Sequence, residues 1–165
     1  MRVPREVTAS LAAALPAGRA VRVLARGRAG DRWVLGLPGL LAWQEGDAWG
    51  TIGWHRILRG GWQAEAARLA WIEYDGTRGE LGLTDPGALP DLFRERVTAS
   101  ILVRRDVAVE GTRHGVTVVG RRVLDSEPPE IQWHASLNRG TRWTDPGARE
   151  AAEQVLAELQ ADFAS

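Results

Sequence analysis

Turn signals recur at short intervals between residues 16 and 85, and this spacing constrains the fold more than any other feature of the sequence. Glycine, proline and aspartate mark the turns, at residues 16–18, 27–30, 38–39, 46–47, 60–61 and 75–76. The segments between them are about five to nine residues long, which suits antiparallel strands better than helices. The sequence therefore predicts seven strands, near residues 20–26, 32–37, 40–45, 49–54, 57–64, 67–74 and 79–83.

The first predicted strand illustrates how these segments alternate. Val21, Val23 and Ala25 would lie on one face, with Arg22 and Arg26 on the other, and this period of two is typical of a half-buried sheet. Seven short strands in a row must curl into a barrel or a sandwich to protect their edges. We therefore predict one antiparallel meander over residues 20–83, forming a barrel or sandwich.

The period changes after residue 85. Apolar residues then recur at spacings of three and four, at Leu89, Leu92, Phe93 and Val97. This pattern predicts an amphipathic helix near residues 86–98 that closes the barrel. Asp85-Pro86 is one start signal for it, and Pro90 in the first turn of a slightly shorter helix is the other.

The C-terminal part predicts three strands, near residues 100–109, 115–124 and 130–138, and a helix over about 146–163. The last strand alternates cleanly, with Trp133 on its apolar face. A stripe on the helix matches that face, consisting of Ala148, Ala152, Val155, Leu159 and Phe163. Because so small a sheet needs a cover, we expect Val155 and Leu159 to pack on the face that carries Trp133. Glu153 and Glu158 should lie near solvent.

The pentapeptide at residues 84–88 recurs at residues 144–148, each time between a strand and a helix. Duplication is one explanation. The flanking residues do not match, however, and Thr or Asp followed by Pro is a favoured way to start a helix. We therefore favour convergence.

The predicted fold class is α+β, in two parts. Residues 1–98 comprise an amphipathic N-terminal helix, the seven strands and the closing helix. Residues 99–165 comprise the three-strand antiparallel sheet and the C-terminal helix. We expect the two parts to pack as one unit.

Composition excludes several classes of protein. The chain has no cysteine, which excludes disulfide scaffolds, Cys-ligated zinc and iron–sulfur clusters and favours a cytoplasmic location. No run approaches the roughly 18 to 20 apolar residues of a membrane span, so we expect no integral membrane protein. All 21 basic residues are arginine, which we ascribe to a GC-rich, bacterial genome. The net charge of zero argues against specific nucleic-acid binding.

The histidines, serines and glycines match no catalytic or metal-binding motif. The histidines, His55, His114 and His134, match no metal-ligand spacing. No serine lies in a nucleophile elbow, and no glycine-rich loop precedes a helix as a phosphate-binding loop would. We therefore expect no catalytic residues, no metal and no cofactor.

An aromatic-rich middle carries a family resemblance. Its segments are Trp33-Val-Leu-Gly, Leu40-Leu-Ala-Trp43 and Trp49-Gly-Thr-Ile-Gly-Trp54-His-Arg-Ile57, with Asp85-Pro86 before the helix. Over about residues 20–98 the chain resembles bacterial pleckstrin-homology-like (PH/GRAM-type) domains. The resemblance implies a partly open barrel capped by a helix, used to bind lipids or proteins and not for catalysis.

In PH-like domains, basic residues of the loop between the first two strands contact phosphorylated headgroups. The resemblance therefore makes Arg26, Arg28 and Arg32 candidate anion contacts, the alternative being a solvated arginine-rich turn. A second group of candidates is aromatic. Six of the eight tryptophans lie between residues 33 and 71, and they either fill the core or line a ligand groove; the groove candidates are Trp43, Trp49 and Trp62.

Two functional hypotheses follow. The favoured one is a non-catalytic interaction module that binds a protein or an anionic ligand, or mediates self-association. The alternative is an enzyme or small-molecule-binding protein, with a site between the two halves lined by tryptophan and histidine. A histidine and a carboxylate within hydrogen-bond reach in a pocket would favour the second hypothesis.

Overall fold

The computed structural model describes residues 2–17 and 19–164. Within these residues the helices are α1 (Arg5–Ala14), α2 (Leu89–Ala99) and α3 (Ala148–Phe163). The strands are β1 (Ala25–Ala29), β2 (Arg32–Gly36), β3 (Leu40–Glu45), β4 (Ala48–Gly53), β5 (Ile57–Gln63), β6 (Arg68–Glu73), β7 (Arg78–Gly82), β8 (Ile101–Val107), β9 (Val116–Arg122) and β10 (Ile131–Leu137). All strand pairs are antiparallel. The α+β class is confirmed.

The strands form three sheets, with the orders β1-β2-β3-β4, β5-β6-β7 and β10-β9-β8. The chain divides into two compact units. The first unit comprises the residues up to Ser100 together with Val123–Pro129, and the second comprises Ile101–Arg122 and the residues from Glu130 onward. Among the described residues, no helix is both long and apolar enough to cross a bilayer.

The four-stranded sheet of the first unit is covered on both faces. On its outer face, Val7 and Leu11 of the alanine-rich helix α1 pack with Trp33 and Leu35 of β2. The inner face packs against the second sheet and α2, through a core that includes Val34, Leu41, Leu69, Trp71 and Phe93. Since both faces are apolar, β2 and β3 are almost continuously buried and show little alternation.

The seven strands of the first unit form two sheets and not one meander, and no sheet is closed among the described residues, so the predicted seven-strand barrel closed by a helix is not confirmed. The break lies at Trp54–Arg56, a short 3-10 helix between β4 and β5. Trp54 is fully buried there, donates a hydrogen bond of 2.9 Å from Nε1 to the Leu37 carbonyl, and meets Phe93 edge to face. The chain leaves the first sheet at this buried ring, and the second sheet begins directly after it, at Ile57.

The prediction of the first strand was wrong, because β1 spans Ala25–Ala29 and not residues 20–26. Its partner β2 ends at Gly36, opposite Ala25, so the residues before Leu24 have no strand to pair with. Val21 and Val23 still pack on the α1 side of the core. The tight turn falls at Gly30, which has a φ of +66°.

Helix α2 begins at Leu89 with a proline in its first turn, so Pro90 is the better start signal. Thr84 and Asp85, which precede the helix, form hydrogen bonds with β1 and with the turn that follows it. The Arg28 amide donates to the Asp85 carbonyl at 2.7 Å, and Thr84 Oγ1 accepts from the Gly30 amide at 3.0 Å.

The expected side-chain caps of α2 and α3 are not found among the described residues, where the N-cap positions are Ala88 and Gly147. In the first pentapeptide, Asp85 Oδ1 accepts from the Gly87 amide. In the second, Asp145 Oδ2 accepts from the Arg142 amide. The two copies therefore make different local turns, which agrees with convergence.

The second unit is a three-stranded sheet with α3 packed on one face. Leu159 is 1% exposed, and Val155 is partly buried in the cluster that contains Val116, Val118 and Trp133. The predicted packing of Val155 and Leu159 is confirmed. Glu153 and Glu158 are exposed, also as predicted.

Candidate functional site

Arg26 and Arg28 lie on one face of β1. Residues alternate across a strand, and the register pairs Arg26 with Leu35 and Arg28 with Trp33. These partners belong to the outer, α1-covered face of the sheet. Arg26 is exposed and Arg28 is half-buried, so the structure brings two of the three candidate arginines together.

The guanidinium of Arg28 is held in place from two directions. Its central carbon lies 4.2 Å from the centroid of the Trp33 ring, a cation–π contact. Its Nη2 donates a hydrogen bond of 2.9 Å to the carbonyl of Asp31. Because Trp33 is itself buried, the stacking surface is rigid, and less side-chain entropy remains to be lost when Arg28 meets a ligand.

A cavity of about 230 Å³ adjoins these arginines. It is lined by Leu24, Ala25, Arg26, Gly27, Arg28, Trp33, Asp85, Gly87 and Ala88. Gly87 has a φ of +51°, and a side chain there would collide with the Arg26 carbonyl, so this close approach requires glycine. The turn that forms one wall is thereby fixed against β1.

The charges around the cavity are unbalanced. Arg26 and Arg28 face one carboxylate, Asp85, whose Oδ1 already accepts from the Gly87 amide at 3.1 Å. Among the described residues, no ion pair joins Arg26 or Arg28 to an acidic side chain. The cavity therefore offers two guanidinium groups against one carboxylate, with which neither forms an ion pair.

Arg32 does not share this cavity. It begins β2 and precedes Trp33, so alternation places it on the opposite face of the hairpin from Arg28. Arg32 is exposed, which makes it a natural comparison for the other two.

The three candidate groove tryptophans do not line a common groove. Trp43 packs with the inner core, 5.6 Å from the Trp71 ring, whereas Trp49 packs on the outer cluster and donates from Nε1 to Ser10 Oγ. Trp62 lines a separate open groove of about 420 Å³ on the second sheet, together with Arg59 and Arg78. Trp43 and Trp49 are therefore packing residues first, whereas Trp62 borders a groove.

The histidines lie in different settings. His55 is buried in the first unit, while His114 and His134 belong to the second. Burial lowers the pKa of His134, and the nearby Arg121 guanidinium lowers it further. Among residues 2–17 and 19–164, no group of three or more His, Cys, Asp or Glu side chains is arranged to hold a metal ion.

Sequence reasoning missed Trp33 and Asp85 as parts of the site. The sequence could have indicated Trp33, because a hairpin turn placed at Gly30 pairs Arg28 with Trp33. Placing the turn at residues 27–30 concealed that pair. The contribution of residues 84–88 had no local signal, since it depends on pairing over more than 50 residues of chain.

Comparison with known proteins gives no match to a protein family, to a curated protein or to a solved structure. The resemblance to PH-like domains accordingly stays a prediction, and the functional argument rests on the geometry above.

Proposed function

We propose that the first unit is a non-catalytic binding module, and that its cavity at Arg26 and Arg28 takes an anionic group of the phosphate type. One observation carries the proposal. Arg28 is oriented by Trp33 and the Asp31 carbonyl, beside Arg26, in a cavity whose charges are unbalanced.

The chemistry of the lining supports this class of ligand. Guanidinium groups match the oxygens of phosphate with paired, charge-assisted hydrogen bonds. The volume of about 230 Å³ lies below the range of about 300–1,000 Å³ typical of whole small-molecule sites. The cavity therefore suits the charged group of a larger ligand, such as a headgroup phosphate. The resemblance to PH-like domains implies the same hairpin and the same chemistry.

The proposal is tested by titration with inorganic phosphate and by sedimentation with phosphatidylcholine vesicles that do or do not contain a phosphoinositide. We expect Arg28→Ala to weaken phosphate binding about tenfold, the equivalent of about 1.4 kcal/mol for one charge-assisted contact. Arg32→Ala, which removes the same charge from the opposite face, is the matched control and should change binding little. Phosphoinositide-dependent sedimentation would identify a lipid source, and phosphate binding without it would identify a soluble one.

Equal weakening by Arg28→Ala and Arg32→Ala would contradict the proposal, since it would indicate general attraction to a basic surface. Urea unfolding of both variants checks that neither loses stability enough to explain a binding defect.

A second candidate function, self-association, is favoured by one feature of β10. Its residues, Ile131–Leu137, contain no Asp, Glu, Lys or Arg, and its pairing with β9 has no bulge. In the sheet as described, β10 is an edge strand. The opposite edge, β8, carries charges at Arg104–Asp106 and a register shift near Val103. Charge and bulges protect edges against pairing, so β10 is the edge suited to pair with a second copy of the chain.

Light scattering over a range of protein concentrations tests this. The wild type should form a dimer, and Ser136→Lys, which places a charge on the edge, should shift it toward monomer. Gln154→Lys adds the same charge on exposed α3 and should leave the dimer intact. A wild-type monomer at all concentrations rules out this second candidate without bearing on the arginine site.

A further inference from the structure

A second cluster of arginines lies in the second unit and shares no residue with the site described above. The C-terminal end of β8, the N-terminal end of β9 and the C-terminal end of β10 meet at one end of the sheet, where Val116 pairs with both Val107 and Leu137. A cleft of about 430 Å³ opens there. Its lining is Arg104, Asp106, Arg113, His114, Asn138 and Arg139.

A polar network spans the three strands beneath this cleft. Thr117 Oγ1 donates to Asp106 Oδ1 at 2.7 Å and accepts from Asn138 Nδ2 at 3.0 Å. Asn138 Nδ2 also donates to the carbonyl of His114 at 2.8 Å. The network thus joins β8, β9 and the chain after β10, and it fixes the base of the cleft.

The loop before β9 is fixed as well. Gly115 has a φ of +62°, and a side chain there would collide with the Val107 carbonyl, so only glycine allows this turn. The backbone amide of Asn138 donates a hydrogen bond of 3.1 Å to the Gly115 carbonyl. Arg113 and Arg139 are therefore carried on two loops that are held to each other.

The cleft combines three cations with one carboxylate. Arg104 contacts Asp106 at 3.4 Å, whereas Arg113 and Arg139 make no ion pair within the described part of the chain. The hydrogen bonds that Asp106 receives from Thr117 and Arg104 both go to Oδ1. In the described residues Oδ2 keeps its capacity to accept a hydrogen bond.

We infer that this cleft binds a small phosphorylated polyol, with its phosphate on Arg113 and Arg139 and a hydroxyl group on Asp106. Two arginines without carboxylate partners supply the donors that a phosphate requires. Asp106 supplies an acceptor for one hydroxyl group of the polyol. The volume falls in the range of about 300–1,000 Å³ for small-molecule sites, larger than one phosphate needs, and all the lining residues have polar or charged side chains.

The hydrogen bond from Thr117 lowers the pKa of Asp106 below its ordinary value, with a further contribution from Arg104. The carboxylate is therefore ionised at neutral pH and acts as an acceptor. It also repels a phosphate placed near it, which favours the side of the cleft formed by the two loops.

Calorimetric titrations of the full chain with glucose 6-phosphate, glucose and inorganic phosphate test the inference. We expect glucose 6-phosphate to bind more tightly than inorganic phosphate, and glucose to give no measurable binding. Arg113→Ala and Arg139→Ala should each weaken glucose 6-phosphate binding about tenfold. The control is Arg122→Ala, an exposed arginine of β9 outside the cleft lining, which should have little effect.

The variant Asp106→Asn separates the two contacts. It should weaken binding of the sugar phosphate and should not weaken binding of inorganic phosphate. The inference is overturned if Arg113→Ala and Arg139→Ala behave like Arg122→Ala, or if glucose 6-phosphate binds no better than inorganic phosphate. Arg28→Ala should leave these titrations unchanged, so the result is independent of the site in the first unit.

Discussion

The two units bury their sheets in different ways. In the first unit three large aromatic residues, Trp54, Trp71 and Phe93, pack within a leucine-rich core between two sheets and a helix. In the second unit valine and alanine predominate, and α3 supplies the cover for one sheet face. The first unit therefore spreads its stability over several layers, whereas the second depends on a single helix.

The arginine sites differ in a parallel way. Arg28 is oriented directly, by an aromatic ring and a carbonyl group. In the second unit, the network of Asp106, Thr117 and Asn138 fixes the frame, and the loops carry the arginines. Removing one hydrogen bond of this network should therefore weaken ligand binding at the second site, whereas Arg28 at the first site depends on no comparable network.

The largest effect is expected from Trp54→Ala in the first unit. The ring is fully buried and its Nε1 donates to the Leu37 carbonyl, so we expect a loss of about 3–5 kcal/mol in the free energy of unfolding. Urea titration measures it. Trp54→Phe keeps an aromatic ring and should lose less, which provides a folded variant if the alanine protein does not accumulate. A loss below about 1 kcal/mol for Trp54→Ala would contradict the layered core.

The next effect is expected from Leu159→Ala, which removes the most buried large side chain of α3. A cost of about 2–4 kcal/mol follows from lost burial and the cavity left behind. Glu153→Ala on the exposed face should stay within about 0.5 kcal/mol. Hydrogen exchange should show reduced protection in β8, β9 and β10 and unchanged protection in β1 to β4. Equal loss in both sets of strands would remove the contrast between the units.

A smaller effect is expected from Thr117→Val, which keeps the shape of the side chain and removes the hydroxyl group at the centre of the network. The cost should be about 1 kcal/mol for one hydrogen-bonding group that is partly buried. Thr112→Val tests a hydroxyl that bonds only locally, to the Val109 carbonyl. The affinity of the cleft for glucose 6-phosphate distinguishes the two variants more clearly than stability does, because Thr117→Val should weaken this binding and Thr112→Val should not.

The smallest effect is the pH dependence due to Asp106. Its pKa in the folded protein is lowered from 3.8, so its contribution to stability is complete above that value and is lost as pH falls through the lower folded value. Asp106→Asn should therefore flatten the acid side of the stability curve between about pH 5 and pH 2. Because the carboxylate is exposed, we expect only a small difference in stability between the wild type and Asp106→Asn. Thermal melts of the two proteins over this pH range measure that difference. A steeper acid limb in the variant would have the wrong sign.

Local patterns predicted most elements of the fold. The strands from β2 to β10 and all three helices lie close to their predicted positions, because their apolar residues keep the proper period and glycine or proline marks most of the turns. The predicted turn at residues 60–61 was wrong, since Gly60 and Gly61 pair within β5 and the turn to β6 falls at residues 64–67, which contain neither glycine nor proline. The pattern at Val21 and Val23 was misleading, since those residues pack on α1 without a strand partner. The alternation of apolar and polar residues indicates which side chains are buried, but it does not indicate whether a neighbouring strand is long enough to pair with the segment.

The site was predictable only in part. Arg26 and Arg28 were identified, but the face they occupy depends on the turn at Gly30, and their separation from Arg32 follows from it. The cleft of the second unit had no sequence signal. Its arginines come from a strand and two loops, which converge only through the register of β8, β9 and β10.

The central claim, an anion site at Arg26 and Arg28, is tested most directly by following the Nε–H resonances of the arginines in ¹⁵N-labelled protein during titration with inorganic phosphate. The account predicts that Arg26 and Arg28 shift together along one saturable curve, while Arg32 moves little. Shifts at Arg113 and Arg139 along a separate curve would be those of the second cleft. Linear, unsaturating shifts of similar size at all exposed arginines, Arg32 included, would contradict it.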